Sequence, residues 1–332
     1  MENTKLSWQG KRVLVTGAGG FIGSHLTERL VEAGAKVSAL VHYNAIGSKG
    51  WLDSSPDRGD FQIIAGDICD RDSVYHAVKG VHVVFHLAAL IAIPYSYRSP
   101  ASYVRTNIEG TLNVLQASRQ AQVDRLIHTS TSEVYGTAKY VPIDESHPLQ
   151  GQSPYSASKI GADKLVESFH RSYDLPVVTI RPFNTYGPRQ SERAVIPTII
   201  TQCLTQKVVK LGNLEPTRDL NYVANTVEGF LLAASSRTAV GRTINLGSGR
   251  EISIGDLAKL IAKLLGRKIT IRHENKRVRP QNSEVDRLIA DCTLARKLLK
   301  WQPAIDLEEG LKTTIEFIEK NPERYGNHGF VI

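Results

Sequence analysis

Arg12-Val13-Leu14-Val15-Thr16-Gly17-Ala18-Gly19-Gly20-Phe21-Ile22-Gly23 is the stretch whose reading decides the fold. Arg12 to Thr16, rich in β-branched and aliphatic residues, predicts a strand, and Phe21 to Ala33 predicts an amphipathic helix closed by Gly34. Between them the glycines fall as G-x-x-G-x-x-G. Gly17 allows a tight turn, Gly20 a close backbone approach to a pyrophosphate, and Gly23 close packing of helix on sheet. The helix start at Phe21 and Ile22 adds unpaired N–H groups and a partial positive charge, which favour phosphate. Glycine-rich turns are common, but one seated between a strand and a helix predicts a dinucleotide cradle.

Outward from the cradle, short β-branched runs keep alternating with amphipathic stretches. Strands are predicted at 36–41, 61–65, 81–85 and 125–129, and helices at 73–78 and 102–120. A long helix is predicted from Tyr155 to Tyr173 and a further strand from Val177 to Arg181. Alternation of this kind predicts an α/β fold, a Rossmann-type doubly wound parallel sheet covered on both faces. After Pro182 the pattern loosens, and Pro188 and Pro197 predict a mixed, loop-rich region to about Gly212. A strand at 242–246 and a helix at 253–265 follow. The expected division is a nucleotide-binding unit over 1–182 and a smaller substrate-binding lobe over 183–332, with about 220–250 returning to the first unit.

Composition excludes several classes. The 332 residues are 41% hydrophobic and 22% charged, as in ordinary globular proteins. No apolar run approaches the ~20 residues that span a bilayer, and no apolar leader is visible near Met1, so the expectation is a cytoplasmic protein with no membrane partner. Cys69, Cys203 and Cys292 lie far apart and predict neither a metal site nor a disulfide framework. Lysine and arginine exceed acids by 41 to 33, densest over Arg267–Arg279. Without aromatic interleaving or a helix-turn-helix pattern, that excess predicts a solvated face or a diphosphate partner before nucleic acid.

Tyr155 and Lys159 stand four residues apart, on one face of the predicted helix. A free tyrosine is ionised in only about one molecule in a thousand at neutral pH, and a neighbouring ammonium favours the phenolate. Such a pair can remove a proton from a hydroxyl while hydride leaves the same carbon. Ahead of it, Thr129-Ser130-Thr131-Ser132-Glu133-Val134-Tyr135-Gly136 follows a predicted strand. It would bring a hydroxyl, Thr131, and a carboxylate, Glu133, to the same strand end.

The G-x-x-G-x-x-G spacing together with this tyrosine–lysine pair resembles the extended short-chain dehydrogenase/reductase family. Gly66-Asp67-Ile68, His86-Leu87-Ala88-Ala89 and Thr106-Asn107-Ile108-Glu109-Gly110-Thr111 carry the likeness further. It implies NAD or NADP, tightly held and regenerated each turnover. Gly17, Gly20, Phe21, Ile22, Gly23, His42, Asp67, Ile68, Leu87, Ala88, Ala89, Asn107, Tyr155 and Lys159 would hold it. One departure bears on which cofactor. Where an acid normally holds the ribose 2′-hydroxyl of NAD, this chain has Leu40-Val41-His42-Tyr43-Asn44, with no carboxylate until Asp53. His42 and Lys49 could partner a 2′-phosphate, so both cofactors stay open.

The same resemblance implies a nucleotide-sugar substrate. Arg181-Pro182-Phe183-Asn184 through Arg189, then Thr217-Arg218-Asp219, then Arg279-Pro280 are similar to segments that meet the nucleotide diphosphate. The substrate candidates are Asn184, Arg193, Arg218 and Arg279. Glu133 resembles the glutamate of the sugar 4,6-dehydratases, whereas simple 4-epimerases need no base there. The implied mechanism uses Thr131, Ser132, Glu133, Tyr155 and Lys159. Tyr155 deprotonates the C4 hydroxyl as hydride leaves C4, and Glu133 then takes the C5 proton. Water departs from C6 and hydride returns there. The dTDP-glucose dehydratases carry aspartate where this chain has Ser132, so Glu133 or an ordered water would protonate the leaving hydroxyl. Segments 153–159 and 212–219 are most similar to dehydratases of UDP- or GDP-N-acetylglucosamine that open legionaminic acid-type nonulosonate pathways. UDP-glucuronate decarboxylase, a 4-epimerase and a silent nucleotide-binding scaffold are the alternatives. The family likeness further implies a homodimer built on the helices at 102–120 and 155–173.

Overall fold

Val13, Leu14 and Val15 are fully buried in β1 (Arg12–Thr16), as expected of a strand covered on both faces. Each contributes about 1.5–3 kcal/mol by leaving water. The computed structural model describes residues 7–57, 59–277 and 280–325. After β1 come α1 (Phe21–Glu32), β2 (Lys36–His42), β3 (Phe61–Gly66), α2 (Arg71–Val78) and β4 (Val83–His86). Next are α3 (Ile93–Arg98), α4 (Pro100–Tyr103), α5 (Gly110–Gln120) and β5 (Arg125–Thr129). The long α6 (Pro154–Tyr173) leads into β6 (Val177–Pro182).

The second half contains β7 (Thr185–Tyr186), α7 (Val195–Thr205), β8 (Val208–Leu211), β9 (Thr217–Arg218) and β10 (Asn221–Tyr222). It continues with α8 (Val223–Ser235), β11 (Thr243–Leu246), β12 (Ile252–Ser253) and α9 (Ile254–Leu264). β13 (Thr270–His273), β14 (Arg287–Leu288), α10 (Thr293–Leu299) and α11 (Leu307–Lys320) close the chain's described part.

Seven parallel strands form the main sheet in the order β3-β2-β1-β4-β5-β6-β11. The chain runs outward from β1 to β3, then restarts at β4 on the other side of β1. That reversal opens a crevice beyond the carboxyl ends of β1 and β4, where ligands of such sheets bind. Because every strand is parallel, the residues after β1, β4, β5 and β6 emerge at one edge. β11 returns from the second half to become the seventh strand, and α8 packs against α1. The small sheets β12-β9-β14 and β13-β8, with α7, α9 and α11, make the remaining lobe.

The structure departs from the sequence expectations in places. The helix expected over 102–120 is broken into α4, a π-helical turn over Val104–Glu109, and α5. Inside the expected loop-rich region lies α7, where Pro197 sits in the first turn and its missing N–H has no helical partner to lose. Ser153 and Ser156 cap α6 reciprocally and Pro154 opens it, which fixes where Tyr155 starts.

Candidate active site

The phosphate cradle is formed at the end of β1. Gly17 has φ +69°, and a Cβ there would lie 2.8 Å from the Ala88 amide nitrogen. A Cβ on Gly23 would collide with the Gly17 carbonyl, and Gly20 donates its N–H to that carbonyl at 3.0 Å. No side chain caps α1, so Phe21, Ile22 and Gly23 present their amides at its start. Thr16 Oγ accepts from the amides of Leu87 and Ala88, both at 3.1 Å, which fixes the segment running on to Ala89 beside the cradle.

That threonine begins a relay. Its hydroxyl, already accepting those amides, donates to His86 Nδ1 at 2.9 Å. His86 Nε2 then donates to Thr111 Oγ at 3.0 Å, and Thr111 donates to the Asn107 carbonyl at 2.6 Å. The order requires a neutral imidazole. Burial, with the charges of His128 and Lys159, pushes His86 well below its ordinary value. Asn107 lies in the π-helical turn, buried, with its side chain bonded to both Leu90 backbone groups and to Ser158 Oγ. Ser158 donates to the Tyr155 carbonyl at 2.7 Å. The cofactor edge and the catalytic helix are thus one hydrogen-bonded unit.

At the far end of the cradle, His42 Nε2 stands 3.5 Å from Asp67 Oδ2, both side chains open to solvent. An acid from the end of β3 thus stands beside the end of β2. Asp53, the next acid in sequence, is used internally, accepting from Ser48 Oγ at 2.8 Å and the Lys49 amide at 3.0 Å. Trp51 N–H donates to the Gly19 carbonyl, so this loop folds back onto the cradle. Ile68 is buried, its side chain packed beside Gly110.

Thr131, Glu133, Tyr155 and Lys159 come together as expected. Tyr155 is hydrogen-bonded to Thr131 and feels the Glu133 charge. Its ring stands edge-on to Tyr103, with centroids 6.2 Å apart. Glu133 sits in a 3-10 turn over Ser132–Tyr135, 8% exposed, its amide donating to Thr131 Oγ at 3.2 Å. Ser132 is more deeply buried, at 2%. Lys159 Nζ donates to the Thr129 carbonyl at 2.6 Å. Burial lowers its pKa to about 8, with Asp163 opposing the fall. The expected depression of the tyrosine is not what the protein alone provides. Burial pushes Tyr155 above its ordinary value, the Thr131 hydrogen bond pulls it down, and Glu133 adds to the rise.

On the substrate side, Asn184 follows β6 with its Oδ1 buried and unpartnered. Arg193 is exposed, and its charge reaches Tyr103. Arg218 is buried and its Nη2 meets Glu284 Oε1 at 3.2 Å, a partner the sequence reading missed. The spacing in Ser283-Glu284-Val285, shortly after Pro280, was the available signal. Arg279 lies outside the described residues. Asp219, beside Arg218, is fully buried and accepts from the amides of Ser248, Gly249 and Ala290, so it braces loops rather than facing a ligand. Among the described residues no cluster of His, Cys, Asp and Glu could hold a metal, and no helix is long and apolar enough to cross a membrane.

Residues 14–314 match the family described as GDP-mannose 4,6 dehydratase. The chain belongs to that family. Its relatives are nucleotide-sugar epimerases and dehydratases of the extended short-chain dehydrogenase/reductase type. The UDP-glucose 4-epimerase of Mycolicibacterium smegmatis is 34% identical over 318 residues, covering 94% of this chain and 100% of that one. The dTDP-D-glucose 4,6-dehydratase of Homo sapiens is 32% identical over 330 residues, covering 96% and 92%. A mutant UDP-glucuronic acid 4-epimerase from Bacillus cereus, solved with UDP-4-deoxy-4-fluoro-glucuronic acid and NAD, aligns with TM-score 0.87 and 30% identity over 93% and 99% of the chains. Epimerases and dehydratases of the family are equally similar to this chain, so the side chains at the site must separate the reactions.

Proposed function

We propose that this chain is a nucleotide-sugar 4,6-dehydratase that converts UDP- or GDP-N-acetylglucosamine to the 4-keto-6-deoxy sugar. The observation carrying that reading is Glu133, a nearly buried carboxylate in the turn whose first hydroxyl, Thr131, is bonded to Tyr155. A 4-epimerase has no use for a second base there.

The cradle fits NAD or NADP: Gly17 and Gly23 leave no room for a Cβ, and the bare start of α1 points amides at the pyrophosphate. NAD in the Bacillus cereus relative supports the same cofactor here. Bound there, the nicotinamide supplies reversible hydride acceptance and, when oxidised, a positive charge. The chain's own residues move the protons. Thr131 holds the C4 hydroxyl against Tyr155, which takes its proton. Lys159 keeps a cation near the phenolate that forms. Once C4 is a ketone, the C5 proton is acidic and Glu133 removes it. Glu133 then passes that proton to the departing C6 hydroxyl, directly or through water, because Ser132 offers no acid. As hydride returns to C6, C5 regains a proton that Glu133 takes up from solvent. Arg218, held by Glu284, and Asn184 bind the diphosphate end. The likeness of segments 153–159 and 212–219 to dehydratases of N-acetylglucosamine nucleotides is what supports that substrate class, with a product suited to nonulosonate synthesis.

A second reading, UDP-glucuronate decarboxylase, is favoured by Arg193, a cation whose charge reaches the Tyr103 ring beside Tyr155. Separate incubations with UDP- and GDP-N-acetylglucosamine and with UDP-glucuronate decide between them by product mass. Loss of water supports the dehydratase, and loss of carbon dioxide from the glucuronate alone replaces it.

A further inference from the structure

Tyr155, Lys159 and Asp163 recur every fourth residue along α6, so all three project from one face, and all three are buried. Asp163 Oδ1 accepts from His128 Nε2, in β5, at 3.1 Å. Its Oδ2 accepts from Ser130 Oγ at 2.8 Å and from Arg181 Nε and Nη2, in β6, at 3.2 and 2.9 Å. Arg181 continues to the Tyr135 hydroxyl at 3.0 Å, and Tyr135 donates to Asn245 of β11 at 2.8 Å. One carboxylate therefore ties the catalytic helix to β5 and β6 directly and to β11 through Arg181 and Tyr135. Ser130 is the residue immediately before Thr131, and Tyr135 closes the turn that holds Glu133.

We propose that Asp163 is a positioning residue for the reaction. Its carboxylate fastens the Ser130–Glu133 strand end to the face of α6 bearing Tyr155 and Lys159, and provides the counter-charge for the lysine. This rests on the reading of Tyr155 and Lys159 given above.

The charges facing the lysine support the assignment. On α6 itself stand Tyr155 and Asp163. β4 contributes His86 and β5 contributes His128, both pushed below their ordinary values by burial. Arg181 from β6 is a second buried cation, and Glu133 lies beyond Tyr155. Asp163 is thus the anion nearest both cations. Burial opposes its ionisation, but the His128 hydrogen bond and the Arg181, His128 and Lys159 charges outweigh that and bring it to about 2. It carries its charge throughout the working range. Without it, Lys159, already lowered to about 8 by burial, would lose its proton at lower pH.

The test compares full-length wild type with Asp163→Asn, Asp163→Glu and Ser130→Ala, each loaded with NAD. The readout is the near-ultraviolet absorbance of bound reduced nicotinamide after mixing with UDP-N-acetylglucosamine, across pH. This first oxidation is common to dehydratase, decarboxylase and epimerase, so water loss by the wild type judges the proposed function while differences among variants judge this proposal. The expected result for Asp163→Asn is an alkaline limb moved to lower pH by about one unit, with KM changed less than about threefold. Asp163→Glu should move the limb back toward wild type. Ser130→Ala, which leaves the Arg181 pair intact, should lower the oxidation rate by about tenfold without moving the limb. It also keeps the proposal testable if Asp163→Asn does not fold. Superimposable profiles and rates, or kcat and KM that change together in step with thermal stability, would overturn it.

Discussion

The hydroxyl of Thr131 and the phenol of Tyr155 are hydrogen-bonded to each other across the gap between the end of β5 and the start of α6. Neither residue is near the other in sequence. Reciprocal Ser153–Ser156 capping sets one end of that bond, and the Ser130–Asp163 contact sets the other. Tyr155→Phe keeps the ring packed on Tyr103 and removes only the proton acceptor. We expect it to bind NAD and nucleotide sugar as wild type does and to lose about 10²–10⁴ in turnover. Calorimetric binding beside steady-state rates measures both, and turnover within threefold of wild type would remove Tyr155 from its role.

Glu133→Gln separates oxidation from elimination. The variant should still reduce the cofactor on mixing with substrate, because Thr131, Tyr155 and Lys159 are intact. It should release no dehydrated product, so the reduced form accumulates. Rapid mixing with absorbance detection shows this directly, and unchanged product formation would dismiss Glu133 as a base.

The cradle prediction is steric. Gly17 has φ +69°, and a Cβ would press on the Ala88 amide at 2.8 Å. Gly17→Ala should cost about 1–3 kcal/mol in stability, and NAD affinity should fall by at least about tenfold. Thermal unfolding with and without NAD reads both quantities. Equal NAD-induced stabilisation of variant and wild type would move the phosphate site elsewhere.

Acid should weaken the fold through Asp163. Its folded pKa of about 2 lies below its ordinary 3.8, so its stabilisation is complete above about 4 and is lost as pH falls toward 2. The difference corresponds to about 2 kcal/mol. Denaturant titrations of wild type between pH 5 and pH 2 should show at least this loss, and Asp163→Asn should lack that component. Parallel curves would contradict it.

Much of the architecture was legible because it rests on local chemistry. The β1–glycine–α1 unit needs only β-branched residues, three glycines and an amphipathic helix, all contiguous from Arg12 to Glu32. Tyr155 and Lys159 were legible because helical spacing alone puts them together. Asp163 follows the same spacing, yet its importance lies in Arg181 and His128, which only the sheet brings near. The π-helical turn at Val104–Glu109 was not legible, and neither was the hold of its Asn107 on the distant Leu90 backbone, since both depend on contacts far apart in the chain. Prolines suggested a loop where α7 forms, because Pro197 falls in the one turn that tolerates it. The direction of the Tyr155 shift also escaped the sequence: the lysine was visible, but the burial was not.

Water loss with proton exchange tests the central claim most directly. Wild-type protein, NAD and UDP- or GDP-N-acetylglucosamine are incubated in D₂O, and the product is read by mass spectrometry and proton NMR. The account predicts a 4-keto-6-deoxy sugar lighter by one water, carrying one solvent deuterium at C5 where Glu133 acts. A C4 epimer of unchanged mass without deuterium would contradict it and return Glu133 to a structural role.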